Sequence, residues 1–308
     1  MSNAFCITID TEPDCDIKWK RSDPLTFESV CIGIPEYLRP VWNKYKIKPV
    51  YFVSPEVLHD SDSCKVLRRE VEFGAEIGTH LHSEYIGPNQ TYTEFNGTNS
   101  KEYPCFAHDT GIERAKIQML TERIEDRIGV HPISYRAARY GADLDTIKSL
   151  MQLGYHVDSS VTPHIDWSSQ AGVDHSMGPD QPYFIAMDNY YQAGESDFLE
   201  IPITIAGKRL PLLPDKWLFY RWLRPSHMTV WEMKSLVKML QRKYPNNLVL
   251  NMMFHSMEII PGKTPFVRNR WHRKLYMKRL TGIVSCLVSQ GIESMTLSDI
   301  YCEKLRTL

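Results

Sequence analysis

Phe5-Cys6-Ile7-Thr8-Ile9-Asp10-Thr11-Glu12-Pro13-Asp14, residues 5–14, runs an apolar, β-leaning stretch directly into three carboxylates. Phe5–Asp10 predicts a strand. Residues two apart on extended backbone share a face, so Asp10, Glu12 and Asp14 can converge just beyond its end. Taken alone, these acids would equally suit an ordinary solvated turn.

Similar short runs recur along the chain at Pro49–Val53, Glu76–His80, Ile133–Arg136, His156–Ser159, Leu199–Thr204, Leu248–Phe254 and Ser294–Leu297. Between them, Ile34–Tyr45, Cys64–Phe73, Ile112–Ile128, Leu144–Leu153, Val230–Lys243 and Leu275–Gln290 carry apolar residues three and four apart, the helical period. Gly154 and Gly291 stand where helix C-terminal caps are expected. Strands alternating with helices predict a largely parallel sheet wrapped by helices. Seven or eight such units in 308 residues fit one closed or nearly closed (β/α) barrel of about seven parallel strands, with residues 1–308 as a single domain. Two stretches, Gly87–Asp109 and Pro163–Ala193, lack periodicity and read as long loops of the kind that form lids or substrate walls.

The composition is that of a globular protein, 43% hydrophobic and 24% charged, and 36 basic against 37 acidic residues leave a net charge of -1. No basic excess supports a nucleic-acid partner. The seven cysteines, Cys6, Cys15, Cys31, Cys64, Cys105, Cys286 and Cys302, form no C-x-x-C pair, so reduced thiols are expected. With neither a signal-peptide pattern nor an apolar run long enough to span a bilayer, a cytoplasmic location is expected. Leu210–Pro225, LPLLPDKWLFYRWLRP, is apolar, aromatic and basic together. It suits peripheral contact with a membrane or a buried excursion, and its prolines oppose a continuous amphipathic helix.

Polar clusters follow several predicted strands, where a β/α barrel builds its active site. His80-Leu81-His82 can present two imidazoles to one ion, and imidazole with carboxylate suits zinc and its first-row neighbours. Arg136 and Arg139 stand at another strand end, where a guanidinium can hold a nearby carboxylate ionised, with Tyr140-Gly141 beside them to bring backbone N–H groups near a substrate oxygen. Val157-Asp158-Ser159 ends a fourth strand. His255 follows the most apolar strand, placed either for acid–base work or as a satisfied core histidine.

The phrases ITIDTE, EIGTHLHSE, YRAARYGAD, VDSSVTP and MFHSMEIIPG stand in one order between Ile7 and Leu297. Together they resemble the motifs of the polysaccharide deacetylase superfamily, the NodB-homology proteins of carbohydrate esterase family 4, and most closely a branch from surface-polysaccharide gene clusters. The resemblance implies a deformed (β/α) barrel and one divalent metal ion, commonly zinc. It assigns Asp10 as catalytic base, Glu12, His80 and His82 as metal ligands, and Arg136 as the residue orienting the base. His255 becomes the general acid, Asp158 the carboxylate tuning it, and the Tyr140 backbone N–H the oxyanion donor. Two departures leave the ligand set open. Thr11 separates acids that the family usually places side by side, so Glu12 or Asp14 can serve. Glu84 stands where the family's second histidine usually falls, so it can replace or supplement His82.

The resemblance further implies a hydrolase that removes an N-acetyl group from an amino sugar. Without an export signal, a nucleotide-linked or lipid-linked sugar, or another glycan intermediate, is the expected substrate. Tyr85, Tyr92, Trp167, Tyr183, Tyr190 and Tyr191 are candidates for stacking on sugar rings, or for plain loop packing. Hydrolysis of a small linear or cyclic amide at the same metal, and a non-catalytic carbohydrate-binding protein on this fold, are the alternatives.

Overall fold

The structure, a computed structural model, describes residues 3–88, 110–208 and 219–306. Most of the Gly87–Asp109 loop, Cys105 and Tyr92, and residues 210–218 of the Leu210–Pro225 stretch, lie outside the described residues.

Twelve strands are described: β1 (Ala4–Thr11), β2 (Pro49–Val53), β3 (Glu76–Leu81), β4 (Ser134–Ala137), β5 (Val157–Asp158), β6 (Tyr183–Ala186), β7 (Asn189–Ala193), β8 (Leu199–Glu200), β9 (Ile205–Lys208), β10 (Phe219–Trp222), β11 (Val249–His255) and β12 (Glu293–Ser294). The main sheet runs β11-β1-β2-β3-β4-β5-β8, and every pair along that path is parallel. These are the seven parallel strands of the expected barrel. It closes through two hydrogen bonds rather than a ladder: Thr204 N–H donates to the Asn251 carbonyl (3.0 Å) and Asn251 N–H to Thr204 Oγ1 (2.7 Å). The Asn251 side chain fills the interior beside this seam. It accepts from Thr8 Oγ1 (2.8 Å) and donates to Ser159 Oγ (2.9 Å) and the Ile201 carbonyl (3.2 Å).

Helices cover the outside: α1 (Arg39–Tyr45), α2 (Ser61–Glu72), α3 (Thr110–Ile128), α4 (Leu144–Gln152), α5 (Val230–Lys243), α6 (Arg270–Ser289) and α7 (Leu297–Leu305). The stretch expected as one helix from Ile34 begins earlier as a π-helix, Ser29–Leu38, which contains Pro35 and runs into α1. Proline removes an N–H donor from the helical ladder, and wider π turns accommodate such an interruption. The strand expected over Ser294–Leu297 stops at Ser294. Thr296 caps the next helix, its hydroxyl accepting from Asp299 N–H while Asp299 reaches back, so Leu297 opens α7 instead. Pro163–Ala193, expected as loop, contains the antiparallel hairpin β6–β7, which extends the sheet beyond β8. Phe219–Trp222, inside the apolar stretch after Leu210, pairs antiparallel with β9. Among the described residues no helix is long and apolar enough to cross a membrane.

Asn251→Leu keeps the side chain's bulk and deletes its three hydrogen bonds inside the barrel. Stability is expected to fall by roughly 2–4 kcal/mol, read as a lower urea midpoint with unchanged slope.

Candidate metal and acid–base site

Parallel pairing fixes which residues meet at the open end of the barrel. Asp10 on β1 is the register partner of His255 on β11, and His80 on β3 that of Arg136 on β4. Arg136 is fully buried and reaches across the interior. Its Nη1 donates to Asp10 Oδ1 (2.7 Å), Nη2 to Thr8 Oγ1 and Ser159 Oγ (both 2.9 Å), and Nε to the Ser159 carbonyl (2.8 Å). Its flat face lies 4.5 Å from the Phe52 ring centre. Gly78 makes room for that ring, since a Cβ there would come within 2.6 Å of it. Burial alone would push the Asp10 carboxyl up, but the charges of Arg136, His80 and His255 outweigh it and hold Asp10 below the usual carboxylate range.

Glu12, two residues on, turns its carboxylate between two imidazoles. Its Oε1 lies 3.2 Å from His80 Nε2 and 3.5 Å from His82 Nε2, with all three side chains buried. Burial opposes the Glu12 charge, yet the two histidines hold its pKa well below the ordinary value. Potential ligand atoms of these three residues lie within 4.8 Å of one another, the one such cluster among the described residues. The donor set fits a divalent ion. His80 Nδ1–H donates to the Arg136 carbonyl (2.9 Å), which leaves Nε2 its lone pair, and His82 Nε2 is buried without a hydrogen bond. One carboxylate with two imidazoles suits zinc and its neighbours.

The open questions over Asp14 and Glu84 have structural answers. Asp14 faces away from the cluster, accepting from Thr26 Oγ1 (2.9 Å), Glu28 N–H (2.8 Å) and Ser29 N–H (3.1 Å). Glu84 stands behind His82, with Oε1 3.6 Å from its Nδ1 and 2.7 Å from Arg139 Nη2. Arg21 Nη2 also approaches His82 Nδ1, at 3.2 Å.

His255 aims Nε2 at the cluster, 3.7 Å from Glu12 Oε1 and 3.9 Å from Asp10 Oδ2. The carboxylate at its other nitrogen is Glu258, with Oε1 3.2 Å from Nδ1, and not the expected Asp158. Arg224 completes the group: its Nη2 lies 2.9 Å from Nδ1 and also binds Glu258. Asp158 is held elsewhere. Tyr190 Oη (2.5 Å) and Ser160 Oγ (2.7 Å) donate to it, and it pairs in register with Glu200. Burial pushes both of those carboxyls up. Glu258 lies one helical turn after His255, a spacing visible in HSME, whereas Arg224 sits 31 residues away and no local pattern marks it.

Arg139 and Tyr140 both take positive φ, 53° and 58°, in the turn after β4. That turn brings Tyr140 to the wall of a cleft of about 590 Å³ over the cluster. Tyr85 and Trp167 also line this cleft, as expected of loop aromatics. Tyr183 and Tyr190 are buried in the packing instead, and the Tyr191 ring packs on His175. Trp19, Trp222 and Phe266 line the cleft too and were not foreseen, because isolated aromatics in irregular segments carry no periodic signal.

No family model matches the chain, and no curated protein does either. Solved structures do resemble it. One, described as a polysaccharide deacetylase from Mycobacterium smegmatis, is 16% identical, with 100% of this chain and 93% of that one covered at a TM-score of 0.55. A 4-alpha-glucanotransferase from Thermococcus litoralis is 16% identical over 99% of this chain and 41% of its own, at 0.58. A branching enzyme from Thermococcus kodakaraensis is 12% identical over 97% and 70%, at 0.51. At such identities the likeness establishes the fold, a deformed (β/α) barrel of the kind found in the deacetylase.

Two outcomes follow from the ligand geometry. His80→Ala, His82→Ala and Glu12→Gln are expected to lose a bound equivalent of zinc that Asp10→Asn keeps, measured by elemental analysis. Burial disfavours charge on His82, but Glu12 outweighs it and pushes its pKa up to about 9 in protein stripped of metal. That proton must leave before Nε2 can bind an ion. Zinc affinity is therefore expected to rise roughly tenfold per pH unit through neutrality and to level off above the His82 value, as read by chelator competition. A flat profile would count against His82 as a ligand.

Proposed function

We propose that this protein belongs to the polysaccharide deacetylase superfamily and is a metal-dependent hydrolase that removes an N-acetyl group from an amino sugar. The observation that carries this reading is the pairing of Asp10 and His255 across adjacent strands, beside the Glu12–His80–His82 cluster. A base and an acid then flank the same point from which an ion can be held. The likeness to the Mycobacterium smegmatis structure supports it at the level of fold.

Glu12, His80 and His82 would hold a divalent ion, most simply zinc, which would supply Lewis acidity toward a water and the acyl carbonyl. Asp10, kept ionised by Arg136, takes the proton from the attacking water. The Tyr140 backbone N–H, carried at the cleft wall by the left-handed turn, is assigned to the oxyanion that develops on the carbonyl oxygen. His255 gives its Nε2 proton to the departing amine nitrogen, which leaves poorly as an anion. Glu258 and Arg224 fix the imidazole ring for that transfer. Asp158 is assigned no contact with the reacting atoms; its bonds to Tyr190 and Ser160 support a bracing part in the barrel wall instead.

A cleft of about 590 Å³ accommodates a ligand of one or two sugar rings. We assign it a nucleotide-linked or lipid-linked N-acetyl amino sugar, or a short glycan.

His255→Ala is expected to lower kcat by roughly 100- to 10,000-fold while zinc stays bound. The assay is acetate release from N-acetylglucosamine in free, nucleotide-linked, lipid-linked and oligomeric forms. Unchanged turnover in that variant removes the acid role, and no acetate from any form by the zinc-loaded parent sinks the deacetylase reading.

A further inference from the structure

The strand β1 loop carries a bulky side chain in a conformation that such residues rarely adopt. Asp16 Oδ1 accepts from Lys18 N–H (2.7 Å) and Lys20 N–H (3.0 Å), Asp16 N–H donates to the Lys20 carbonyl (2.7 Å), and Trp19 N–H to the Asp16 carbonyl (3.1 Å). These bonds wind residues 16–20 into a tight turn with Trp19 at φ 62°. Glycine would take that position without the steric cost that a Cβ incurs there. Strain of this kind persists where the surrounding bonds impose it, and it gathers at ligand sites.

The turn projects the indole into the cleft rather than into the core. Trp19 remains 36% exposed and lines the cleft. Its ring centre lies 5.3 Å from that of His255 and 5.6 Å from that of Phe266, against which it stands edge-on at 75°. The stacked pair Tyr140–Trp167, 5.8 Å between centres, belongs to the same cleft. On the deacetylase reading, on which this inference rests, the nitrogen released from the acyl group is bonded directly to a sugar ring carbon. The ring that bears it therefore begins one C–N bond beyond the nitrogen that receives the His255 proton, next to that imidazole. Among the described residues, the aromatic surface beside that donor is Trp19.

We propose that Trp19 is the platform on which the sugar ring bearing the amide stacks, and that it makes the protein selective for amides carried on a ring. A sugar presents an apolar C–H face that an indole covers well, and its hydroxyls stay directed to the polar side of the cleft. Phe266 packs edge-on against the indole, and the turn holds it in place before the ligand arrives.

Trp19→Gly removes the ring and suits the positive φ, so the turn is retained; Trp19→Phe keeps a smaller ring. The expected result is a KM for an N-acetyl amino sugar raised roughly tenfold or more in Trp19→Gly, with kcat changed much less and partial recovery in Trp19→Phe. For N-acetylethanolamine, which has no ring, the same change is expected to raise KM far less than for the amino sugar. Calorimetry in the Asp10→Asn background reads sugar binding without turnover, and Trp19→Gly is expected to weaken that binding by the same factor. Equal binding with and without the indole overturns the proposal, as does a kcat that falls alike for both substrates, which would reduce Trp19 to a screen over His255. No amino-sugar binding even with Trp19 intact would overturn the deacetylase reading along with it.

Discussion

The ion pair between Arg136 and Asp10 is the contact around which the barrel interior is organised. Both side chains are buried, so each charge must be met by hydrogen bonds or the pair would cost more than it returns. Arg136 satisfies this with donations to Asp10, Thr8 and Ser159 and with the face of Phe52 beneath it. Thr8 and Ser159 are in turn held by Asn251, the residue at the seam where the barrel closes. A glycine at position 78 leaves Phe52 its space. The closure of the fold and the ionisation of the proposed base thus depend on one connected network.

His255 stands in a different relation to charge. Arg224 and Glu258 meet at its Nδ1, one able to donate to that nitrogen and the other able to accept from it. Whichever protonation state Nε2 takes as it faces the cluster, Nδ1 has a complementary partner. His80 has no such freedom, since its Nδ1–H is committed to the Arg136 carbonyl. Similar imidazoles are thereby suited to the two proposed roles, ligand and proton donor, by what lies behind each ring.

Much of this arrangement was legible in the sequence for a physical reason. Buried parallel strands are written as apolar runs, and the residues just past them fall at the barrel's open end, so Asp10, Glu12, His80, His82, Arg136 and His255 could be grouped without coordinates. Contacts that depend on side-chain direction could not. Asp158 and Glu258 are both carboxylates near strand ends, and only the packing shows that one faces Tyr190 while the other faces His255. Arg224 lies two residues past the end of β10, where no local pattern ties it to His255. The hairpin β6–β7 was hidden because its alternation is short and mixes tyrosine with polar residues, and α7 because its cap, Thr296, comes only two residues after β12 ends.

Asp14, left open as an alternative ligand in the sequence, has a different place in the structure. It lies in the acidic run that announced the site, yet it binds the backbone N–H groups of Glu28 and Ser29 and the hydroxyl of Thr26. Those bonds close the segment between Asp14 and Ser29 on itself, with Ser22 N–H donating to the Asp14 carbonyl. Trp19 and Arg21 both hang from that closed segment, and Glu12 lies two residues before it. A carboxylate that accepts from several backbone donors is well suited to this work, because it satisfies N–H groups that an irregular loop cannot pair internally. The acids of the first motif therefore divide their labour by direction: Asp10 and Glu12 point inward to the chemistry, while Asp14 points outward and fixes the loop that brings Arg21 to His82 and Trp19 to His255.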